Sequence, residues 1–210
     1  SAVLNRVVTD TPSSLLGNLN ANGQVFLLNQ SGILVGEDAV IDTNGFIAST
    51  LDVDNADFLD GGSLTFFGDS DAGILNLGSI DGGHGSVYLF AREIENDGSV
   101  VADDTVGFAS GREILLSTGE DGDIYVQAGV EATDTADATA ISNTGSVQAA
   151  KVTMEATGSA YSVAVNNAGI VRATTIENKG GRILLKGSGT VYSNGSLDAS
   201  GTEGGTITLE

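Results

Sequence analysis

The sequence contains no cysteine, no tryptophan, one proline and one histidine, His84. Without cysteine there is no disulfide framework, and redox chemistry does not reveal a compartment. One histidine and no thiol leave a zinc site or a nucleophilic triad without its side chains. No apolar run reaches the ~18 residues of a membrane-spanning helix. No basic-then-apolar leader opens the chain, which leaves a cytoplasmic protein or a trimmed piece of a longer one. Positive charge is also scarce. Eight Lys and Arg stand against 28 Asp and Glu, for a formal charge of −20. Such a surface repels phosphate backbones and anionic headgroups, which argues against a nucleic-acid ligand.

Glycine and repetition are what the chain has in quantity. It carries 30 Gly in 210 residues, and 40% of its residues are hydrophobic, so acidity here does not imply disorder. One motif, apolar-x-Asn-x-Gly-x-apolar, recurs as "LNLGSI" at 75–80, "IENDGSV" at 94–100, "ISNTGSV" at 141–147 and "VNNAGIV" at 165–171, with a relaxed copy, "VYSNGSL", at 191–197. Its Asn residues, at 76, 96, 143 and 167, are spaced by 20, 47 and 24, the 47 reading as two units. A second motif places apolar residues two apart: Leu64/Phe66, Val87/Leu89, Ile114/Leu116, Ile124/Val126, Val152/Met154, Ile183/Leu185 and Ile207/Leu209. That spacing puts both side chains on one face of a strand.

A unit of roughly 20 to 27 residues with short strands and Asn/Gly corners is a solenoid signature. Glycine in every unit would cost ~1 kcal/mol per interior helical position, which excludes a helical solenoid. The spacing of a leucine-rich repeat is absent. The fold predicted is all-β, a right-handed parallel β-helix of about nine or ten rungs at ~22 residues each. A β-sandwich is the competing fold, but it calls for polar/apolar alternation and varied hairpin signals. The stretch "GQVFLLNQSGILVG" (23–36) fits two successive strands, 24–28 and 33–35, with Asn29 to Gly32 as the bend and Gly32 at positive φ. Asn side chains stacked at equivalent corners are expected to ladder hydrogen bonds along the axis. Three segments break the pattern. In 9–19, Thr11 and Pro12 suit the start of a short helix or a turn. The Ala/Thr-rich stretches 130–140 and 155–165 read as loops or short helices extruded from a rung.

Catalytic and metal chemistry finds little support. Carboxylate pairs such as Asp52/Asp54 and Asp121/Asp123 lie in Gly- and Asn-rich turns, and no tryptophan is available to stack on a sugar. Calcium is the one cofactor with candidates, Asp69, Asp71, Asp121 and Asp123, in "GDSDAG" and "GEDGD". None fits a helix-loop-helix site, and in "GGHGSVYLF" (82–90) Val87 replaces the Asp of a calcium nonapeptide. Arg92/Glu93 and Arg112/Glu113 read as surface ion pairs, and His84 as a loop residue.

The run from residue 4 to residue 59 resembles the secretion domain of filamentous-haemagglutinin-type exoproteins, the large passengers of bacterial two-partner secretion. The matching pieces are Asn5-Arg6-Val7, Pro12-Ser13-Ser14-x-Leu16-Gly17, Gly23-Gln24-Val25-Phe26-Leu27, Gly32-Ile33-Leu34, Ala48-Ser49-Thr50-Leu51 and Ala56-Asp57-Phe58. Residues 164–201 resemble the β-helical continuation of such proteins. Where the family has Asn-Pro-Asn-Gly, this chain has Asn29-Gln30-Ser31-Gly32. The turn-forming Asn and Gly remain, while the proline that restricts φ is missing. The family's domain also begins some tens of residues upstream, with a cap and a signal peptide, so the chain is expected to start inside it.

The resemblance implies a division into 1–60, the end of a secretion domain, and 61–210, continuing β-helix repeats in one body. It implies a secreted or cell-surface protein that crosses the periplasm, passes through an outer-membrane barrel partner, and acts without enzymatic activity as an adhesin or scaffold. Asn5, Arg6, Asn29 and Gly32 become the residues expected to shape or present the transporter-recognition surface. A host or neighbour-cell receptor or glycan is a further expected partner. The alternatives are a filament subunit that self-associates end to end, and a polysaccharide-active β-helix enzyme.

Overall fold

The computed structural model describes residues 1–117, 123–131, 138–174, 181–201 and 203–210. Three parallel sheets wrap one interior, and the chain visits them in rotation. The first sheet has eight strands: Ala2–Arg6, Gln24–Leu28, Phe46–Ser49, Val87–Phe90, Thr105–Ser110, Lys151–Ala156, Arg182–Gly187 and Thr206–Leu209. The second and third sheets have seven each, beginning with Ser13–Leu15 and Asn18–Asn20. Every pairing in the three sheets is parallel, as in Val25 on Phe46 and Val87 on Val106. This is a parallel β-helix.

Among the described residues the coil makes seven complete rungs and the first strand of an eighth, where the unit length predicts nine or ten. Two rungs are about double length. Asn96 and Asn143 are direct neighbours, so the 47-residue spacing is one rung with an insertion and not two units. The insertions leave the first sheet after Ser49 and after Ser110. Each contributes two strands, Asp52–Val53 and Leu64–Phe67 from one, Glu113–Leu116 and Ile124–Ala128 from the other. These form a four-stranded antiparallel sheet alongside the coil. The short helix Asn55–Asp60 belongs to the first insertion.

The flanking sheet explains the unbroken apolar run 24–28. Val25 and Leu27 face the interior of the coil. Phe26 and Leu28 face outward, into a second core with Ile47, Tyr88 and Phe90 from the first sheet and Phe66, Ile114 and Leu116 from the flanking one. Phe66 and Phe90 meet edge to face at 4.9 Å. Both faces of the first sheet are therefore dry here, and period-two alternation is lost. It returns beyond the flanking sheet, where Ile183 and Leu185 are buried between the more exposed Arg182, Leu184 and Lys186. The pairs Leu64/Phe66, Ile114/Leu116 and Ile124/Val126 belong to the flanking sheet, and the other four pairs to the first sheet.

The interrupting segments correct two expectations. Residues 9–19 hold no helix; Ser13–Leu15 is a strand of the second sheet. Tyr161–Asn167 is a rung strand and Lys151–Ala156 ends in the same stretch, so 155–165 is largely built into rungs, while of 130–140 the described rung strand Ala138–Asn143 holds only the last three residues. Ala140, Ala156 and Ala164 fill fully buried interior positions there. Residues 132–137 lie outside the described residues.

The recurring Asn and Gly occupy the corner between the second and third sheets. Asn76, Asn96, Asn143 and Asn167 are fully buried. Each side-chain amide donates to the next Asn carbonyl oxygen at 2.7 Å, and Asn167 donates to Ser193 Oγ at 3.1 Å. Two residues on, Gly78, Gly98, Gly145, Gly169 and Gly195 stack so closely that a Cβ on any of the last four would overlap the carbonyl oxygen of the glycine beneath. None of the five has positive φ, so the motif needs glycine for contact distance and not for backbone freedom. Positive φ is found instead at Gly32, at 109°, as the bend at 29–32 requires.

Asn96→Asp turns a donor into an acceptor opposite Asn143 Oδ1 in a fully buried column. Denaturant unfolding at neutral pH should show a loss of about 3 kcal/mol. The deficit relative to the parent should shrink at acid pH, where a protonated carboxyl again donates.

Candidate recognition surface

The corner at 29–32 is built by one buried side chain. Asn29 is 1% exposed. Its Nδ2 donates to Thr11 O at 3.0 Å and Ser13 Oγ at 2.8 Å, while its Oδ1 accepts from Ser31 N–H at 2.9 Å. The same amide closes the turn and fastens the second rung to the first. Gly32 N–H returns to Asn29 O, and Ser13 N–H donates to Gly32 O. The corner holds its shape without the proline because these bonds restrain it.

Arg6 stands at the end of the first strand and ties it to the flanking sheet. Its Nε meets Asp52 Oδ1 at 2.8 Å, and its two terminal nitrogens donate to Asn55 Oδ1 at 2.8 Å and Val53 O at 2.6 Å. Asn5 makes only a long contact to Phe26 O, 3.4 Å. Arg6 and the corner share a cleft of about 190 Å³, lined also by Gln30, Ser31, Leu51 and Asp52. The structure thus brings Arg6 near the corner, but Asn29 faces inward, and Ser31 and Gln30 are the corner residues that reach the cleft.

On the other side of the corner lies a groove of about 690 Å³ on the outer face of the second sheet, which sequence reasoning missed. Gly32 and Gly73 stack between Pro12 and Glu93, and the missing side chains open the groove floor. Leu34 and Leu75 lie beside them, half-buried and in register. The only sequence signal was the outward Leu inside "GILVG" and "ILNL". Ala72 lines one wall, at the end of the segment 68–72. Asp71 is held by Arg92 at 2.7 Å, Asp69 by Arg112 at 3.1 Å, and Ser70 Oγ donates to Gln30 O at 2.6 Å.

Asp69 and Asp71 therefore serve as partners of arginines from neighbouring rungs. Arg92 and Arg112, in the bends that precede two strands, pair with these aspartates and not with the adjacent Glu93 and Glu113. Asp123 is bound by Lys151 and by Tyr125; Asp121 lies outside the described residues. No group of three or more His, Asp or Glu among the described residues is arranged to hold a metal ion. His84 is an exposed loop residue whose Nδ1 sits 2.5 Å from Asp103.

Comparison with known proteins gives this geometry a context. The family model for the TPS secretion domain matches residues 1–209. The chain belongs to the TPS secretion domain family. Its fold matches the crystal structure of the HMW1 secretion domain from Haemophilus influenzae with a TM-score of 0.70 and 31% identity, over 100% of this chain and 62% of that one. A heme/hemopexin-binding protein of Haemophilus influenzae is 27% identical over 205 residues, 93% of this chain and 22% of that protein. A second heme/hemopexin-binding protein of that species is 38% identical over 50 residues. The TPS domain described here thus spans about a fifth of the length of the first heme/hemopexin-binding protein. It identifies a two-partner secretion exoprotein, a substrate exported through the periplasm to the cell surface or beyond.

Two outcomes test the local chemistry. Asn29→Asp removes both donors from the corner, and native-state hydrogen exchange should show the Ser13 amide opening about tenfold faster or more. The Lys151 ammonium, by hydrogen bond first and by charge, holds the Asp123 carboxyl below the usual carboxylate range against a smaller opposing effect of burial. The folded-state pKa is depressed, so the pair stabilises above the unfolded value of about 3.9 and is lost as pH falls through the lower folded value. Carbon-detected titration should return Asp123 to the ordinary range in Lys151→Met.

Proposed function

We propose that this TPS domain is recognised by a dedicated outer-membrane barrel transporter, passes it unfolded, and refolds outside as the start of a non-enzymatic rod that serves as a surface scaffold or adhesin. The observation that carries this reading is the family match over residues 1–209 together with a fold whose three sheets pair only between successive rungs. Contacts of that kind let each rung form on the one before it.

The carboxylates named for catalysis support a non-enzymatic rod. Asp52 is occupied by Arg6 and by the Val53 N–H, and Asp123 by Lys151. Asn29 and Gly32 contribute by setting the corner, and Arg6 and Asn5 by holding the first strand at the cleft beside it.

Export of the full-length exoprotein, co-expressed with its transporter and assayed in the culture medium and on the cell surface, tests the assignment. Arg6→Ala and Asn29→Asp are each expected to lower export severalfold while leaving cytoplasmic synthesis unchanged. Normal export of both variants removes these residues from the recognition surface.

A further inference from the structure

We infer that the groove on the outer face of the second sheet is a binding site for an extended peptide of another protein, one that carries a branched apolar residue and, two positions on, an arginine or lysine. The site is separate from the secretion reading and does not depend on it.

Three features define the occupant. The groove floor is apolar at one end, where Leu34 and Leu75 lie half-buried on adjacent strands, with Pro12 and Ala72 beside them. At the other end Glu93 and Glu95 point outward from the next strand, both exposed and without an ion pair among the described residues. The arginine that adjoins them in sequence is committed to Asp71 across the wall. The two carboxylates are thus left unneutralised at the edge of an apolar floor.

The spacing selects the peptide. Strands are about 4.8 Å apart, so the step from between Leu34 and Leu75 to Glu95 is roughly 7 Å. An extended chain repeats its side chains on one face every ~6.6 Å. An apolar residue seated over the leucines therefore brings the residue two positions on to the glutamates. Glu93 and Glu95, also two apart on one strand, stand ~7 Å from each other, suited to either side of a guanidinium. With a net charge of −20 on the chain, an acidic occupant is repelled and a basic one attracted.

Titration of the 210-residue chain with an acetylated, amidated pentapeptide carrying Ile and Arg two positions apart among serines, followed by calorimetry and amide chemical shifts, tests the site. Saturable binding is expected, with shifts centred on Leu34, Leu75 and Glu95. Glu93→Lys/Glu95→Lys should weaken it by about tenfold or more. Glu37→Lys/Asp42→Lys, with the same charge change on another part of the coil, should leave it within about twofold after the general field is screened with salt. Should the lysine pair fail to fold, Glu93→Gln/Glu95→Gln replaces it, with a loss of at least about threefold expected. Absence of saturable binding overturns the inference. So does equal binding by the glutamate-substituted chain, equal binding of a peptide with Glu in place of Arg, or shifts that map away from the groove.

Discussion

Stacking like upon like governs this structure. Parallel rungs in register lie about 4.8 Å apart, so whatever one rung places in a column must tolerate its own kind directly above and below. Valine, isoleucine and phenylalanine meet that condition in the interior, where Val25, Phe46, Val87 and Val106 form one column. Asparagine meets it at the corner because its amide offers a donor on one side and an acceptor on the other. Glycine meets it two residues later because the backbones there approach too closely for a Cβ. A conventional polar residue in the asparagine column would leave a neighbour's donor or acceptor unmet at about 1–3 kcal/mol.

The coil is not uniform along its length, and the flanking sheet marks the difference. Over the strands from Gln24–Leu28 to Thr105–Ser110 the first sheet is apolar on its outer face, through Phe26, Ile47, Tyr88, Phe90 and Ala109. Two insertions come from rungs within that stretch and cover it. Each large side chain buried between the two sheets contributes about 1.5–3 kcal/mol, so the insertions are part of the folded body and not appendages. On the following strand, Lys151–Ala156, the outward residues are Lys151, Thr153 and Glu155, and Glu155 is paired with Lys186 of the next rung. Outward chemistry changes from apolar to ionic where the flanking sheet ends.

Much of this was legible in the sequence for a physical reason: a solenoid writes its columns into the chain as repeats. The Asn-x-Gly spacing revealed the corner, the apolar pairs revealed strands, and the double run around Asn29 revealed two strands and a bend. The failures share a cause. An insertion between rungs looks, along the sequence, like more rungs, so the 47-residue gap reads as two units and the expected total is too high. Pro12 and the Ala/Thr-rich stretches were judged by local propensity, which the sheet overrides once a neighbouring strand supplies partners. Of the candidate site, Asn29 and Gly32 were visible as turn residues and Arg6 through family resemblance. The groove was not visible, because it arises where Gly32 and Gly73, forty-one positions apart, fall into one column.

The polarity of the asparagine ladder gives the stack a direction. Each amide donates to the asparagine of the rung that follows in the chain: Asn76 to Asn96, Asn96 to Asn143, Asn143 to Asn167. A coil built from its N-terminal end therefore always carries one corner donor awaiting its acceptor. Leaving that donor buried and unmet costs about as much as a hydrogen bond, and the arrival of the next rung removes the cost while presenting a new donor. The backbone at the same corner works in step, since the Asn76 carbonyl accepts from both Asp97 and Gly98 of the next rung. A misregistered rung would set an apolar side chain or a Cβ against that corner and gain neither bond. The corner thus checks each rung as it is added, from contacts between neighbours alone, which is what a chain that folds progressively from one end requires.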